Sequence, residues 1–386
     1  MNKGPHSEIK AALSLSSIFG LRMLAVFMFV PIFTAYTQSL SGATPVSIGI
    51  AMGIYGLTQA VFQLPLGACS DKIGRKPIAA IGLLIFAAGS LIGAFTHHIG
   101  WMIVARALQG VGAIGSTLMA LLADLTSEKN RTKAMALMGI SMGIFSSAAI
   151  VLGPVIAVYY NLSGVFFTST LLTLISLTIL YLVVPTPSNH IPLNQANSLS
   201  LFQLCLTTIK NPVLLQLDLG ILLLHAIFTS LFYACPLMLK PLIGDTSIFY
   251  LIILGGSFIL LFPCIAIAEK YKKMPSALLA NIILLLVSQV MLFFFHASIL
   301  SIGFALFLFF IGFNFLEAAL PSLVSKAAPP TTKGTAMGIY SSAQFLGIFI
   351  GGTTAGSLYS WNGVEGIFIF TSILSIIWIG FRLKNF

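Results

Sequence analysis

The sequence predicts an all-α integral membrane protein with twelve transmembrane helices in two pseudo-symmetric six-helix bundles. Three observations support this fold class: high hydropathy, repeated long apolar runs, and similarity between the two halves of the chain. Of the 386 residues, 58% are hydrophobic and only 7% are charged, and the mean hydropathy is +1.03. A soluble protein carries about 25% charged residues, so this composition indicates a membrane protein.

Twelve apolar runs reach the length of about 20 residues that a helix needs to cross a bilayer. We number them spans 1 to 12 in chain order. They are residues 11–37, 46–70, 78–96, 101–126, 133–160, 163–184, 212–239, 247–268, 276–296, 298–325, 334–358 and 363–381.

The longest polar interruption is residues 185–211, which are rich in Pro, Asn and Ser. We predict that it is a cytoplasmic linker between an N-terminal bundle, residues 1–184, and a C-terminal bundle, residues 212–386. Within it, Leu199 to Ile209 is weakly amphipathic and either lies on the membrane surface or is part of a plain flexible linker.

The distribution of cations indicates the orientation in the membrane. A formal charge of +10 is compatible with a nucleic-acid partner. With a cytoplasmic N-terminus, however, 16 of the 19 Lys and Arg residues fall on the cytoplasmic side, Lys240 falls outside, and Arg22 and Arg106 lie within spans. Cations concentrate in this way in cytoplasmic loops. We therefore predict that both termini are cytoplasmic and that the chain has no nucleic-acid partner.

The two halves of the sequence repeat each other. Thr132-Lys133 and Thr332-Lys333 stand 200 residues apart, and each pair precedes an apolar span. The segment Glu269 to Lys273, an acid followed by cations, is a degenerate copy of a charged segment between spans 2 and 3. Two related six-helix halves are typical of transporters built from internal repeats.

That charged segment is Gly67 to Lys76, which reads Gly-Ala-Cys-Ser-Asp-Lys-Ile-Gly-Arg-Lys. We predict a short loop here, with Gly74 in a tight turn, because glycine adopts backbone angles closed to other residues. Asp71 is placed to accept hydrogen bonds or to cap a helix N-terminus. The segment resembles the loop between helices 2 and 3 of major facilitator superfamily transporters, whose pattern is roughly G-x-L-A-D-R-x-G-R-K.

The resemblance covers nearly all of the chain and is closest to the YajR-type transporters of the drug:proton antiporter branch. It implies the major facilitator fold and transport by alternating access. Because the sequence ends at Phe386, just past span 12, we expect the soluble C-terminal domain of those transporters to be absent. The other segments that carry the resemblance are Gly20 to Leu24, Gly53 to Ala60, Asn130 to Ala136 and Lys333 to Gly338.

The same resemblance implies a conformational latch. In related exporters the residue matched by Arg75 pairs with the acid at the end of helix 4, here Asp124. The residue matched by Asp71 faces the N-terminus of helix 11, which begins here near Thr331 or Thr332. The alternative is a purely topological anchor. The predicted latch residues are Gly67, Asp71, Gly74, Arg75 and Asp124.

Two arginines lie inside spans, where a charge costs at least about 2.5–3.5 kcal/mol. Arg106, with Gln109 and Gly110 after it, resembles a helix 4 motif linked in the superfamily to proton coupling; the alternative is a structural Arg bound to backbone carbonyls. Arg22 is expected to meet either an anionic substrate group or a carboxylate in a fixed ion pair.

Three titratable residues within spans are candidates for proton coupling. Asp218 and His225 stand seven residues apart in span 7, so they share one helix face. Glu317 lies in span 10, one turn after Asn314, and a carboxyl group in this position can bind and release a proton. The alternatives are hydrogen-bonded packing roles for His225 and Glu317 and an interfacial position for Asp218.

Polar stripes at helical spacing are candidates for a substrate cavity. The alternative is hydrogen bonding across helix contacts. The candidate cavity residues are Arg22, Tyr55, Gln59, Gln63, Gln109, Asn314, Tyr340 and Gln344.

Other motifs carry less weight. Gly110 to Gly115 fits the dinucleotide pattern G-x-G-x-x-G, but it lies in a predicted span and not after a strand, so we reject that site. Gly153-Pro154 resembles the core of an antiporter motif, although its flanking glycines are replaced, which weakens the inference of export. The four cysteines lack metal-ligand spacing.

We therefore expect a secondary active transporter of the bacterial-type inner membrane, in which protons drive efflux of small lipophilic or drug-like molecules. The alternatives are a proton-coupled nutrient importer and a non-transporting membrane receptor or scaffold. We expect a monomer in the lipid bilayer, with a small-molecule substrate, no enzymatic activity, no metal and no cofactor besides the proton gradient.

Overall fold

A computed structural model describes residues 5–185, 208–329 and 332–383, which are helical almost throughout. Most of the predicted linker, with most of the Leu199 to Ile209 stretch, and Cys205 and Thr331 lie outside the described residues. The helices are α1 (Pro5–Phe27), α2 (Phe33–Thr37), α3 (Pro45–Ile73), α4 (Arg75–Phe95), α5 (Ile99–Val111), α6 (Gly115–Leu125), α7 (Glu128–Leu182), α8 (Pro212–Ile243), α9 (Ser247–Lys270), α10 (Met274–Phe295), α11 (Ile299–Ala327) and α12 (Lys333–Leu383).

Ten helical segments of the described chain are long and apolar enough to cross a membrane. Two of them, α7 and α12, each contain two helices that meet at a break in the backbone. The breaks are at Asn161, with φ 55°, and at Asn362 and Gly363, where Gly363 has φ 60°. They coincide with the predicted boundaries between spans 5 and 6 and between spans 11 and 12, so the ten segments contain the twelve predicted crossings.

Spans 1 and 4 were predicted as continuous helices, and both predictions were wrong in detail. Span 1 is interrupted between α1 and α2, at residues 28–32. Pro31 lies in this turn and has no N–H to donate to a helical hydrogen bond. Span 4 is interrupted between α5 and α6, where Gly112 has φ −67° and ψ 33°. Gly112 packs against α4 so closely that an added Cβ would lie 3.0 Å from Cβ of Phe86.

The charged segment between spans 2 and 3 is not a loop along most of its length. Helix α3 continues to Ile73, α4 begins at Arg75, and Gly74 alone connects them. Residues 67–73 contain no proline, so nothing interrupts α3 before Gly74, and the ion pair between Asp71 and Arg75 joins the two helices across that residue. Gly74 has φ 118°, which confirms the prediction of a glycine-dependent turn.

The described residues form two compact units. The first contains residues 5–43 and 57–185, and the second contains residues 44–56, 208–329 and 332–383. Residues 44–56, the first part of α3, pack with the second unit, while the predicted division into bundles of residues 1–184 and 212–386 stays a prediction. Glycines explain this: an added Cβ at Gly352 of α12 would lie 2.8 Å from N of Gly53, so the backbones of α3 and α12 touch.

In the first unit, α1 packs along α7 over an apolar core that also includes α4 and α6. Small residues set the distance, because an added Cβ at Gly20 would lie 2.6 Å from Oγ of Ser141. The same crossing carries a hydrogen bond from Ser141 Oγ to the carbonyl of Ser16, at 2.7 Å. The buried core residues include Leu15, Ile18, Leu83, Ile114, Leu118, Leu121, Leu122 and Met138.

In the second unit, α8 is the central helix. Most residues of its most apolar stretch are buried, whereas most residues in the corresponding stretches of α9 and α10 are not. Pro212 occupies its first turn, and Oδ1 of Asn211 accepts hydrogen bonds from the N–H groups of residues 213 and 214. Gly351 of α12 packs directly on the α8 backbone at Ala226. This contact brings His225 beside α12.

Candidate functional site

Three helices of the second unit bring His225, Glu317 and Gln344 together. They come from α8, α11 and α12. Nε2 of Gln344 donates a hydrogen bond to Oε1 of Glu317 at 3.1 Å and lies 2.8 Å from Nε2 of His225. Oε2 of Glu317 lies 3.8 Å from Nε2 of His225. From the sequence, His225 and Glu317 were predicted as proton-coupling residues and Gln344 as a residue of the substrate cavity.

The hydrogen bonds indicate the tautomer of a neutral His225 in this cluster. Nδ1 of His225 lies 3.3 Å from the carbonyl of Ile221, so it is the nitrogen that carries the proton in the neutral ring. Nε2 of His225 then accepts from Gln344. Oε2 of Glu317 is buried and has no hydrogen-bond partner among the described residues. A proton on Oε2 would therefore displace no existing hydrogen bond.

The surroundings of His225 are aromatic. Its ring centroid lies 6.1 Å from that of Phe228 and 5.9 Å from that of Phe313. Phe228 and Phe313 stack at 4.6 Å. His225 is 2% exposed, whereas the Glu317 side chain is 27% exposed. The cluster thus has one polar opening, at the carboxyl group, and an apolar wall behind the imidazole.

Asp218, Tyr340 and Asn314 extend the polar residues of this unit. Asp218 is 6% exposed, and its Oδ1 has no hydrogen-bond partner in the part of the chain that the structure describes. Tyr340 is 4% exposed, and its hydroxyl group has no hydrogen-bond partner among the described residues. Asn314 is directed elsewhere, since its Nδ2 donates to Oγ of Ser257 at 3.1 Å.

In the first unit, Arg22 of α1 binds the break between α5 and α6. Its Nη2 donates to the carbonyl of Gly112 at 3.1 Å and to Oε1 of Gln59 at 3.3 Å. Arg22 is 2% exposed, yet its Nε and Nη1 have no hydrogen-bond partner among the described residues. Among these residues no carboxylate lies within 4.0 Å of the guanidinium, so the fixed ion pair considered from the sequence is not observed there.

Arg106 of α5 contacts the predicted neighbour Gln109. Nη1 of Arg106 donates to Oε1 of Gln109 at 2.6 Å, and Nε2 of Gln109 donates to Oγ of Ser90 at 2.9 Å. The guanidinium carbon lies 5.2 Å from the ring centroid of Phe29 and 5.6 Å from that of Phe33. Both rings lie within cation–π distance.

The predicted stripe on span 2 is divided between the two units. Tyr55 lies in the second unit, where its ring meets that of Phe345 edge-on at 6.2 Å. Gln59 and Gln63 lie in the first unit and are both nearly fully buried. Gln63 contributes its carbonyl, which accepts from Oγ of Ser116 at 3.2 Å. Their role in a substrate cavity stays a prediction.

The charged end of the first unit is an ion-pair cluster. Nη1 of Arg75 contacts Asp71, and Nε of Arg75 donates to Oδ2 of Asp124 at 3.2 Å. Nη1 also donates to Oγ of Ser70 at 2.7 Å, and that hydroxyl donates to the carbonyl of Gly67 at 2.6 Å. The predicted pair of Arg75 with Asp124 is confirmed. The role of Asp71 toward span 11 stays a prediction.

Several contact residues were missed by sequence reasoning. Ser70, Ser90 and Ser257 each anchor a predicted polar residue. Serines are too common in membrane helices to single out, although Ser70 lies inside the charged segment. The carbonyl of Gly112 was also missed, because a hydropathy window does not detect a break of three residues. The glycine run from Gly110 to Gly115 was the available signal.

Comparisons with known proteins agree with this architecture. The family model of the Major Facilitator Superfamily matches residues 15–352. The inner membrane transport protein YajR of Escherichia coli (strain K12) is 41% identical over 378 residues, which cover 96% of this chain and 82% of that protein. The quinolone resistance protein NorA of Staphylococcus aureus (strain MSSA476) is 26% identical over 350 residues, covering 88% of this chain and 87% of that protein.

A solved structure has the same fold. It is a bacterial homologue of the human lysosomal transporter Spinster, in an inward-facing and occupied conformation. The TM-score is 0.78 at 12% sequence identity, and the match covers 100% of this chain and 97% of that chain. At this identity the likeness concerns the fold alone.

Proposed function

Since the chain belongs to the major facilitator superfamily of membrane transporters, we propose that it is a proton-coupled exporter of small lipophilic or drug-like molecules. In this proposal, protons move down their gradient in exchange for substrate, by alternating access. The observation that carries the proposal is the contact of Glu317 with Gln344 and His225 inside the second unit.

Glu317 is the proposed proton carrier. Gln344 donates to one carboxyl oxygen, while the other is buried without a hydrogen-bond partner among the described residues and lies 3.8 Å from Nε2 of His225. Protonation of that oxygen removes a charge from an aromatic environment and leaves the Gln344 bond to Oε1 in place. His225 supplies the neighbouring site, because its Nε2 accepts a proton when Gln344 moves away. The cluster can therefore exist in a charged and a neutral form.

A lipophilic substrate class is supported by two observations. The wall behind His225 is formed by Phe228 and Phe313. NorA, which is 26% identical over 88% of this chain, is named a quinolone resistance protein.

In the first unit, two guanidinium nitrogens of Arg22 have no hydrogen-bond partner in the described chain, so they can donate to an anionic group of a substrate. Arg106 and Gln109 are the other proposed polar contacts.

The proposed location is the inner membrane, with both termini in the cytoplasm. It is supported by the similarity to YajR, which is named an inner membrane transport protein, and by the excess of cations in the predicted cytoplasmic segments. The cluster of Arg75, Asp71 and Asp124 then lies at the cytoplasmic end of the first unit. We propose that it acts there as the conformational latch that the resemblance implies.

Transport in proteoliposomes tests the proposal. Purified protein is reconstituted with a pH-sensitive dye inside, and norfloxacin or ethidium is added with and without a pH gradient. Substrate movement coupled to proton movement in the opposite direction supports antiport. Movement of both in the same direction supports the importer alternative, and the absence of substrate movement supports a receptor or scaffold.

A further inference from the structure

A cavity of about 490 Å³ lies in the second unit, where α9 ends, α10 begins and α11 ends. Ile265, Ala319 and Leu323 form its apolar wall. Glu269, Lys272 and Lys326 are charged residues of its lining, and all three are exposed. The proposed transport mechanism uses none of these residues.

Lys272 has an unusual backbone conformation, with φ 53°. The N–H of Lys273 donates to the carbonyl of Ala268 at 2.9 Å, and the N–H of Lys272 donates to the carbonyl of Glu269 at 3.1 Å. This pair of bonds is the Schellman motif that ends many helices, and glycine is the usual residue at the left-handed position. In the first repeat Gly74, with φ 118°, occupies the corresponding place before α4.

A lysine at this position is strained, because its Cβ is crowded in left-handed geometry. The backbone alone would favour glycine, as in the first repeat. The turn therefore does not account for a lysine at position 272, whereas a role for its amine at the lining of the cavity does. Strained residues of this kind concentrate at functional sites.

The cations of this cavity are not neutralised as in the first unit. There, Arg75 is paired with both Asp71 and Asp124. In the second unit, α11 ends with Lys326 instead of an acid. Among the described residues, no carboxylate lies within 4.0 Å of the amine of Lys272 or Lys326. Glu269 is the one acid of the lining, so two cations face one anion across the cavity.

We propose that this cavity binds an anionic phospholipid, with the phosphate held by Lys272 and Lys326 and an acyl chain along Ile265, Ala319 and Leu323. Basic pockets between membrane helices suit phosphate headgroups. The apolar wall selects a lipid over free phosphate, because inorganic phosphate would leave that wall without a partner. Lipid binding at this cavity does not require the chain to transport a substrate, so it can be measured as binding alone.

The test is binding of fluorescent phosphatidylglycerol and phosphatidylcholine of equal chain length to the purified full chain in neutral detergent. The variants are Lys272→Gly, Lys326→Gln and the double variant. Lys272→Gly suits the left-handed turn, so it is expected to keep or raise the melting temperature while removing the amine. The matched control is Lys270→Gln, which removes a cation from the same segment but outside the cavity lining.

We expect preferential binding of phosphatidylglycerol, weakened about fivefold by each single variant and about twenty-fivefold by the double variant. Lys270→Gln should retain nearly the full affinity. Equal binding of the two lipids, or an equal loss in Lys270→Gln, would overturn the proposal. Displacement of the lipid by inorganic phosphate at equimolar concentration would assign the cavity to free phosphate instead and also overturn it.

Discussion

Gln344 lies with its Nε2 2.8 Å from Nε2 of His225, and the same amide group holds Glu317. One side chain of α12 thus connects a base on α8 with an acid on α11. A shift of α12 along α8 would break both contacts together. The protonation of Glu317 and the position of α12 are for this reason expected to depend on each other.

The first prediction is that Glu317→Gln abolishes transport driven by a pH gradient and preserves substrate counterflow. The amide keeps the shape and hydrogen-bonding capacity of the carboxyl group but cannot exchange a proton. Both activities are measured in proteoliposomes of the same preparation. Asp245→Asn is the control, since it removes an exposed acid of the same unit and keeps an oxygen that can accept the N–H of Ser247. Full gradient-driven accumulation by Glu317→Gln would sink the assignment and direct attention to Asp218.

The second prediction concerns Gln344→Met, which keeps the length of the side chain and removes both polar contacts. It leaves the acceptors on His225 and Glu317 without their donor, which costs about 1–3 kcal/mol for each buried group. We expect lower thermal stability in detergent and slower proton-coupled transport. Gln344→Glu is the comparison, because it keeps the volume and adds a second acid. An unchanged melting temperature in Gln344→Met would show that the contact contributes no stability.

The third prediction is a coupling energy between Arg75 and Asp124. Their side chains are 16% and 42% exposed, so solvent screens the pair and we expect about 1 kcal/mol at most. The double-mutant cycle uses Arg75→Gln, Asp124→Asn and both together, with transport and stability as readouts. A swap of the two charges is less informative, since Asp71 also contacts Arg75 and would then face an acid. Additive single effects would remove the pair from the mechanism.

The fourth prediction is that Arg22→Met discriminates between substrates. An anionic group that binds the two partnerless nitrogens loses a charge-assisted bond of about 1.5–3 kcal/mol, roughly a 10- to 150-fold loss of affinity. Neutral and cationic substrates should be transported nearly as before. Lys129→Gln, at an exposed position, controls for the change in net charge. A uniform loss for all substrates would indicate that Arg22 supports the α5–α6 break alone.

The fifth prediction compares two glycines of α12. An added Cβ at Gly351 would lie 2.9 Å from Cα of Ala226, so Gly351→Ala forces α8 and α12 apart and is expected to destabilise the protein by about 1–3 kcal/mol. At Gly334 an added Cβ meets no described atom within 4 Å. Gly334→Ala is therefore expected to be neutral or to stabilise by up to about 1 kcal/mol. Thermal unfolding of the two variants provides the measurement, and equal melting temperatures would refute the packing argument.

Much of this fold is predictable because membrane helices are read from length and hydropathy. The ends of spans 5 and 11 were located to within a few residues, at Asn161 and Asn362. Gly74 was predictable from its turn chemistry, and the pair of Arg75 with Asp124 from the family resemblance. These features depend on local sequence or on a motif.

The remaining features depend on contacts between distant segments. His225 and Gln344 stand 119 residues apart, and no local pattern indicates that one amide joins two titratable groups. The grouping of residues 44–56 with the second unit follows from glycine contacts across helices. The break after Val111 was hidden because the residues around it are apolar, and hydropathy measures solvation and not backbone geometry.

The interruption between α5 and α6 bears on biosynthesis. The two helices have 13 and 11 residues, so neither can cross about 30 Å of hydrocarbon on its own. The fourth crossing therefore depends on a residue synthesised 90 positions earlier, since Nη2 of Arg22 in α1 donates to the carbonyl of Gly112 at the break. We expect this crossing to insert less efficiently in a chain that lacks α1, because a carbonyl without its donor is costly in lipid.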